Sequence, residues 1–131
     1  MPEGRRRGQG PCRGRRRKGM RLFLQPSLLL MLGEKESHGY ELFEQLNTLG
    51  FDPECLDSSV LYRDLRDMEE MGLIESTWDD EESKGPKRRV YRILDEGKDR
   101  LGEWIGNLGL IQDQIQQITD RYQKIKKKDD Q

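Results

Sequence analysis

The chain has 131 residues, 32% of them hydrophobic and 37% charged, which leaves room for one small domain with tails and excludes a large enzyme. Its formal net charge of -1 hides an asymmetry: residues 1–19 carry eight Lys/Arg against one acid, and the remainder carries sixteen against twenty-four. A basic arm of +7 beside an acidic body of -8 is a composition that commonly meets phosphate.

The arm, residues 1–19, is built from Gly, Pro and Arg, including Arg15, Arg16 and Arg17. It has little to bury and repels itself, so disorder is expected when it is unbound. Pro26 suits the first turn of a helix, and Leu28 to Leu32 continue it as a short, buried segment ending near Gly33. A second helix is expected over Ser37 to Gly50, capped by Ser37 or His38, with Tyr40, Phe43, Leu46 and Leu49 at helical spacing and Tyr40, Phe43 and Leu46 in the core. Asp57 suits the N-cap of a third helix. Leu61, Leu65 and Met68 mark its inward face, Ser58, Ser59, Tyr62, Arg63 and Arg66 its outward face, and Gly72 its end.

Beyond Gly72 the period changes from 3.6 to 2. Leu73 to Trp78 and Arg89 to Ile93 read as two short strands, and the loop between them holds Gly85-Pro86 and no apolar residue. Helix, helix, helix, strand, loop, strand is the order of a winged helix-turn-helix. The last segment, from Asp95 to about Lys127, carries Leu101, Trp104, Leu108, Ile111, Ile115, Ile118, Tyr122 and Ile125 at alternating spacings of three and four. Such a helix spans about 45 Å, too long to pack wholly on a domain of this size, so half of the seam calls for a partner helix, most simply from a second copy. The expected fold is mainly α (α+β): a winged helix-turn-helix over 20–94, with a long C-terminal dimerisation helix and charged tail over 95–131.

Cys12 and Cys55 have no C-x-x-C spacing and the chain has one histidine, so neither a metal site nor a disulfide framework is expected and both cysteines read as free thiols in a reducing cytosol. The apolar run after Arg21 is broken by Gln25-Pro26-Ser27 and the chain contains no alanine, which argues against a signal peptide. Its apolar stretches are also too short for a membrane span. With no Ser-His-Asp order, phosphate-binding Gly loop or metal-ligand spacing, no catalytic residues and no cofactor are expected.

Three blocks carry a resemblance: His38-Gly39-Tyr40-Glu41-Leu42; Leu61-Tyr62-Arg63-Asp64-Leu65 continuing to Gly72-Leu73-Ile74; and Gly85-Pro86-Lys87-Arg88-Arg89-Val90-Tyr91 with Glu96-Gly97. Together they resemble the PadR family of bacterial and archaeal transcriptional regulators, over about Phe23 to Leu101. The resemblance implies a cytoplasmic homodimer that binds double-stranded DNA, in the smaller subgroup whose single C-terminal helix dimerises. Two departures stand out. Asp57-Ser58-Ser59-Val60 replaces the family's S-P-G-T, so phosphate contact there passes to Ser58 or Ser59 or is lost; Leu94 replaces a capping Ser or Thr.

A helix about 10 to 12 Å wide fits the major groove, where arginine can clamp guanine or hold a phosphate oxygen. The expected DNA contacts are Ser58, Ser59, Tyr62, Arg63 and Arg66 from the third helix and Lys84, Lys87, Arg88 and Arg89 from the wing, with Arg15, Arg16 and Arg17 from the arm. The opposing structural expectation is that Arg63 and Arg66 pair with Glu69 or Glu70 on a solvated face. The expected dimer interface is Leu101, Trp104, Leu108, Ile111, Ile115, Ile118 and Tyr122; in the resembling family such positions line a cavity for a small flat effector. The expected function is transcriptional repression at an inverted-repeat operator. The alternative is an RNA-binding or protein-tethering module that uses the Arg/Gly arm.

Overall fold

The computed structural model describes residues 14–52, 54–79 and 88–130, with residues 14–21 described by their backbone alone. Helix α1 (Gly14–Glu34) starts well before Pro26, which lies buried inside it. This corrects the expected start of the helix and makes the end of the expected arm, Gly14 to Gly19, helical backbone; residues 1–13 lie outside the described residues. Leu24, Leu28, Leu29, Met31 and Leu32 anchor α1 in the core. Once those turns are held, each residue added towards the N-terminus gains a hydrogen bond, and Arg, Lys, Met and Leu are good helix formers.

The expected second helix is divided. Strand β1 (Ser37–His38) precedes α2 (Gly39–Gln45), a 3-10 turn follows over Leu46–Leu49, and Gly50 ends the run with φ 89°. Ser37 and His38 pair antiparallel with Tyr91 and Val90, so they serve a sheet edge as well as the helix start. Glu41 in the first turn of α2 accepts the His38 backbone N–H at 2.8 Å, as the third residue of a capping box does.

Helix α3 (Ser58–Glu70) follows the sequence closely. Asp57 caps it by accepting the Ser59 N–H at 3.2 Å, Leu61, Leu65 and Met68 are wholly buried, and Gly72 turns the chain at φ 79°. Strands β2 (Ile74–Asp79) and β3 (Arg88–Ile93) pair antiparallel from Ile74↔Ile93 to Asp79↔Arg88, giving the sheet order β1-β3-β2. That register places Glu75 opposite Arg92, and the two form an ion pair.

Helix α4 (Asp95–Asp129) has Leu94 as its N-cap residue with no side-chain cap bond; the Leu94 N–H instead donates to the Leu73 carbonyl at 2.9 Å. Asp95 and Glu96 at its start and Lys126 to Lys128 at its end complement the helix dipole. Leu101 and Trp104 pack against the core cluster formed by α1, α2, α3 and the sheet, whereas from Leu110 onward the described helix is exposed on every side. The architecture is a mainly α winged helix-turn-helix with a long C-terminal helix. No helix among the described residues is long and apolar enough to cross a membrane.

Cys55, nearly buried ahead of α3, is disulfide-bonded, which corrects the free-thiol expectation for this residue. Spacing along the chain does not determine which sulfurs meet in space, because a bridge depends on the two Cα atoms lying within about 7 Å with their Cβ atoms directed towards each other. Cys12 lies outside the described residues.

Candidate nucleic-acid interface

The burial of Leu61, Leu65 and Met68 fixes the rotation of α3 and turns Ser58, Ser59, Tyr62, Arg63 and Arg66 outward, all of them exposed. Among the described residues, neither Arg63 nor Arg66 pairs with Glu69 or Glu70. Glu69 is engaged elsewhere: its carboxylate accepts the Ser76 backbone N–H at 3.2 Å and the Ser76 hydroxyl at 3.0 Å, which ties α3 to β2. Arg63 and Arg66 therefore stand exposed without an ion-pair partner among the described residues, on a face that also exposes Asp67 and Glu70.

Gly39 explains how Tyr62 is seated. A Cβ at Gly39 would lie 2.5 Å from Tyr62 Cε1 and 2.6 Å from its hydroxyl oxygen, so the absence of a side chain gives the ring its place against the start of α2. The glycine of the H-G-Y-E block thus positions a side chain of α3.

The wing strands bring further cations to the same side. Arg88 donates to the Tyr40 hydroxyl at 3.1 Å, and its guanidinium carbon lies 4.8 Å from the centre of the Tyr40 ring. Arg89 donates to the Ser76 hydroxyl at 2.7 Å and lies 4.6 Å from the centre of the Trp78 ring. Between α3 and these strands is an open cleft of about 510 Å³, with Tyr40, Tyr62, Arg66, Trp78, Arg88 and Arg89 around it and Tyr91 also on its wall. Burial pushes the Tyr91 phenol above its ordinary pKa, so it stays neutral there. At the rim, His38 Nδ1 lies 3.2 Å from Glu41 Oε1 and His38 Nε2 lies 3.1 Å from Asp79 Oδ2, joining the start of α2 to the end of β2. The His38 backbone N–H holds the Glu41 carboxyl below its ordinary pKa; burial opposes it, and the imidazole and Lys35 add smaller lowering effects.

Of the expected contact residues, Tyr62, Arg66, Arg88 and Arg89 come together around this cleft, and Ser58, Ser59 and Arg63 extend the surface along α3. Lys84 and Lys87 lie outside the described residues, as do the side chains of Arg15, Arg16 and Arg17. Tyr40 requires correction: expected in the core with Phe43 and Leu46, it is 44% exposed, while Leu46 is buried. The rotation of α2 is set by Leu42 and Leu46, and the turn from the β1 edge leaves Tyr40 facing β3. Leu49 is also exposed. Trp78 had no periodic signal, since it stands at the far end of a strand whose partner supplies its cation.

Along the expected seam, Leu101, Trp104 and Leu108 are half-buried on their own domain, whereas Ile111, Ile115, Ile118 and Tyr122 are exposed. Next to Leu108 is an apolar groove of about 390 Å³ lined by Phe23, Leu30, Leu49, Phe51 and Ile105. No group of His, Cys, Asp and Glu among the described residues is placed to hold a metal ion.

The model of the transcriptional regulator PadR-like family matches residues 28–103, more than half of the chain. The chain belongs to the PadR-like family. The matched region runs from the buried turns of α1 through α3 and the wing to the point where α4 leaves the domain. Membership makes the chain a DNA-binding transcriptional regulator and not an enzyme.

The chain is similar to a PadR family transcription regulator from Clostridium difficile at 28% identity, covering 73% of this chain and 97% of that one with a TM-score of 0.64. It is also similar to a PadR-like transcriptional regulator from Bacillus cereus at 30% identity, covering 77% and 95% with a TM-score of 0.67. A third similar structure, TM0937, a conserved protein of unknown function and potential transcriptional factor, is 36% identical, with coverage of 79% and 90% and a TM-score of 0.68. Among curated proteins none matches significantly.

Proposed function

We propose that this PadR-like chain is a cytoplasmic repressor that binds an inverted-repeat operator as a homodimer. In this reading, residues 20–94 form the DNA-binding unit, residues 95–131 the dimerisation helix and tail, and residues 1–19 a basic arm that tracks phosphates. The observation that carries it is the outward face of α3, whose Arg63 and Arg66 have no carboxylate partner on their own helix. A helix with such a face fits the major groove, with Ser58, Ser59 and Tyr62 beside the arginines and with Lys84, Lys87, Arg88 and Arg89 of the wing reaching the minor groove or flanking phosphates.

The dimer rests on α4. A 35-residue helix is about 52 Å long, and its distal half presents Ile111, Ile115, Ile118 and Tyr122 to solvent at seam spacing. Gly102, Gly106 and Gly109 each cost the helix roughly 1 kcal/mol relative to alanine, so pairing with a second copy also supplies stability. Trp104, with Arg100 5.5 Å from its ring centre, would line a cavity for a small flat effector in that interface.

The test is selection of duplexes from a random library by the wild-type chain, followed by footprinting. Two half-sites about one helical turn apart are expected. Arg63→Ala and Arg66→Ala should weaken the footprint while leaving the fold intact. Equal footprints for both variants would remove α3 as the reader, and stronger competition by single-stranded RNA than by the selected duplex would favour RNA binding instead.

A further inference from the structure

A helix in a major groove and a hairpin in the neighbouring minor groove are separated by one sugar-phosphate strand. In this fold that strand has to cross the cleft between α3 and the β2–β3 wing, which has three arginines and, among the described residues, no carboxylate on its wall, Glu41 and Asp79 being held by His38 at its rim. The charge suits a phosphodiester, and the two aromatic-arginine pairs hold their cations in place before any ligand arrives.

Tyr40 is the residue at which the geometry becomes specific. Its hydroxyl oxygen accepts an N–H from Arg88 at 3.1 Å, which leaves the phenolic hydrogen to donate. The ring is 44% exposed and stands at the start of α2, where the same cleft is bounded by Tyr62 and Arg66 from α3. Arg89 is less available for this purpose, because its guanidinium already donates to Ser76, whose hydroxyl donates in turn to Glu69. A neutral donor aligned by a cation, with a second cation across the cleft, is the donor set that a phosphate oxygen takes.

We propose that Tyr40, aligned by Arg88 and facing Arg66, forms a seat for the one backbone phosphodiester that crosses between the recognition helix and the wing. The proposal rests on the DNA-binding reading above and adds a contact on α2 that holds the strand without reading its sequence.

The test compares wild type, Tyr40→Phe and Arg88→Met on two probes: the duplex that wild type selects and a mixed-sequence duplex of equal length. Tyr40→Phe keeps the ring beneath Arg88 and removes only the hydroxyl. It should weaken binding to both probes by about tenfold per protomer, the effect of losing one hydrogen bond to a charged group. Its slope of log affinity against log salt should not change, because no charge is lost. Arg88→Met should weaken both probes and reduce that slope by about 0.9 per protomer.

Replacing successive phosphates of the selected duplex by neutral methylphosphonate should reveal one position per half-site where the loss of affinity is smaller for Tyr40→Phe than for wild type. Circular dichroism checks that both variants remain folded. If Tyr40→Phe binds both probes like wild type, the seat is overturned while the DNA reading stands; a loss confined to the selected duplex overturns it too, because Tyr40 would then read a base. A wild-type chain that binds no duplex overturns the DNA reading and the seat with it.

Discussion

Gly39→Ala separates the interface from the fold. The added Cβ would stand 2.5 to 2.8 Å from three atoms of the Tyr62 ring, against ordinary carbon contacts of about 3.5 to 4.0 Å, so the ring must move by about 1 Å. Because Tyr62 is 40% exposed and the clash is with the far end of its side chain, the ring can swing outward. An off-rotamer displacement costs about 0.5 to 1.5 kcal/mol, and replacing a helical glycine by alanine returns up to about 1 kcal/mol. Stability should therefore change by no more than about 1 kcal/mol. A hydroxyl moved by about 1 Å loses a hydrogen bond to DNA, which amounts to a fall in duplex affinity of about tenfold. Thermal unfolding gives the first quantity and fluorescence anisotropy with the selected duplex the second. The variant combined with Tyr62→Ala should bind no more weakly than Tyr62→Ala alone, since both act through one ring. Loss of several kcal/mol of stability, or unchanged duplex affinity, would refute the reasoning.

Ile115→Asp places a carboxylate in the distal seam of α4, and light scattering should show the wild-type dimer converted to monomer or unfolded chain; a wild-type monomer at micromolar concentration would remove the basis of the dimer. Deleting residues 1–19 removes seven net positive charges and should weaken binding to all duplexes by similar factors, flattening the salt slope by about 0.9 for each phosphate released, with the preferred operator unchanged. Glu41→Gln tests the lowered carboxyl pKa. A carboxylate whose folded pKa lies below its ordinary value of 4.5 stabilises the fold above that pH and loses the contribution as pH falls through the folded value. The stability difference between wild type and variant should therefore be small, present at neutral pH, and shrink in acid; urea midpoints that keep a constant difference throughout would contradict it.

Much of the outward face of α3 was legible because the helix obeys a simple rule. Leu61, Leu65 and Met68 leave one rotation of the helix that buries all three, and the outward positions of Ser58, Ser59, Tyr62, Arg63 and Arg66 follow from it. The change of period at Gly72 located the wing for the same reason. The alternation of threes and fours from Leu101 to Ile125 identified a continuous helix with more apolar surface than its own domain covers. Tyr40 was misread because the same logic fails in a short helix: with seven residues in α2, spacing alone does not say which apolar positions face inward.

The order of elements, the inward face of α3 and the seam of α4 were determined by local pattern, in which each residue's environment follows from neighbours a turn or a pleat away. Tertiary structure decided the features that depend on distant segments. The two-residue β1 strand exists because β3 offers Ser37 and His38 a partner, and no periodicity can be expressed in two residues. The continuation of α1 through Pro26 depends on Leu24 to Leu32 finding a core that outweighs the missing hydrogen bond. The seating of Tyr62 on Gly39, the pairing of Arg88 with Tyr40 and the disulfide at Cys55 likewise bring together groups whose separation along the chain is unrelated to their distance in space. Hydrophobic patterning specifies which surfaces leave water, and the packing of those surfaces then determines which polar groups meet.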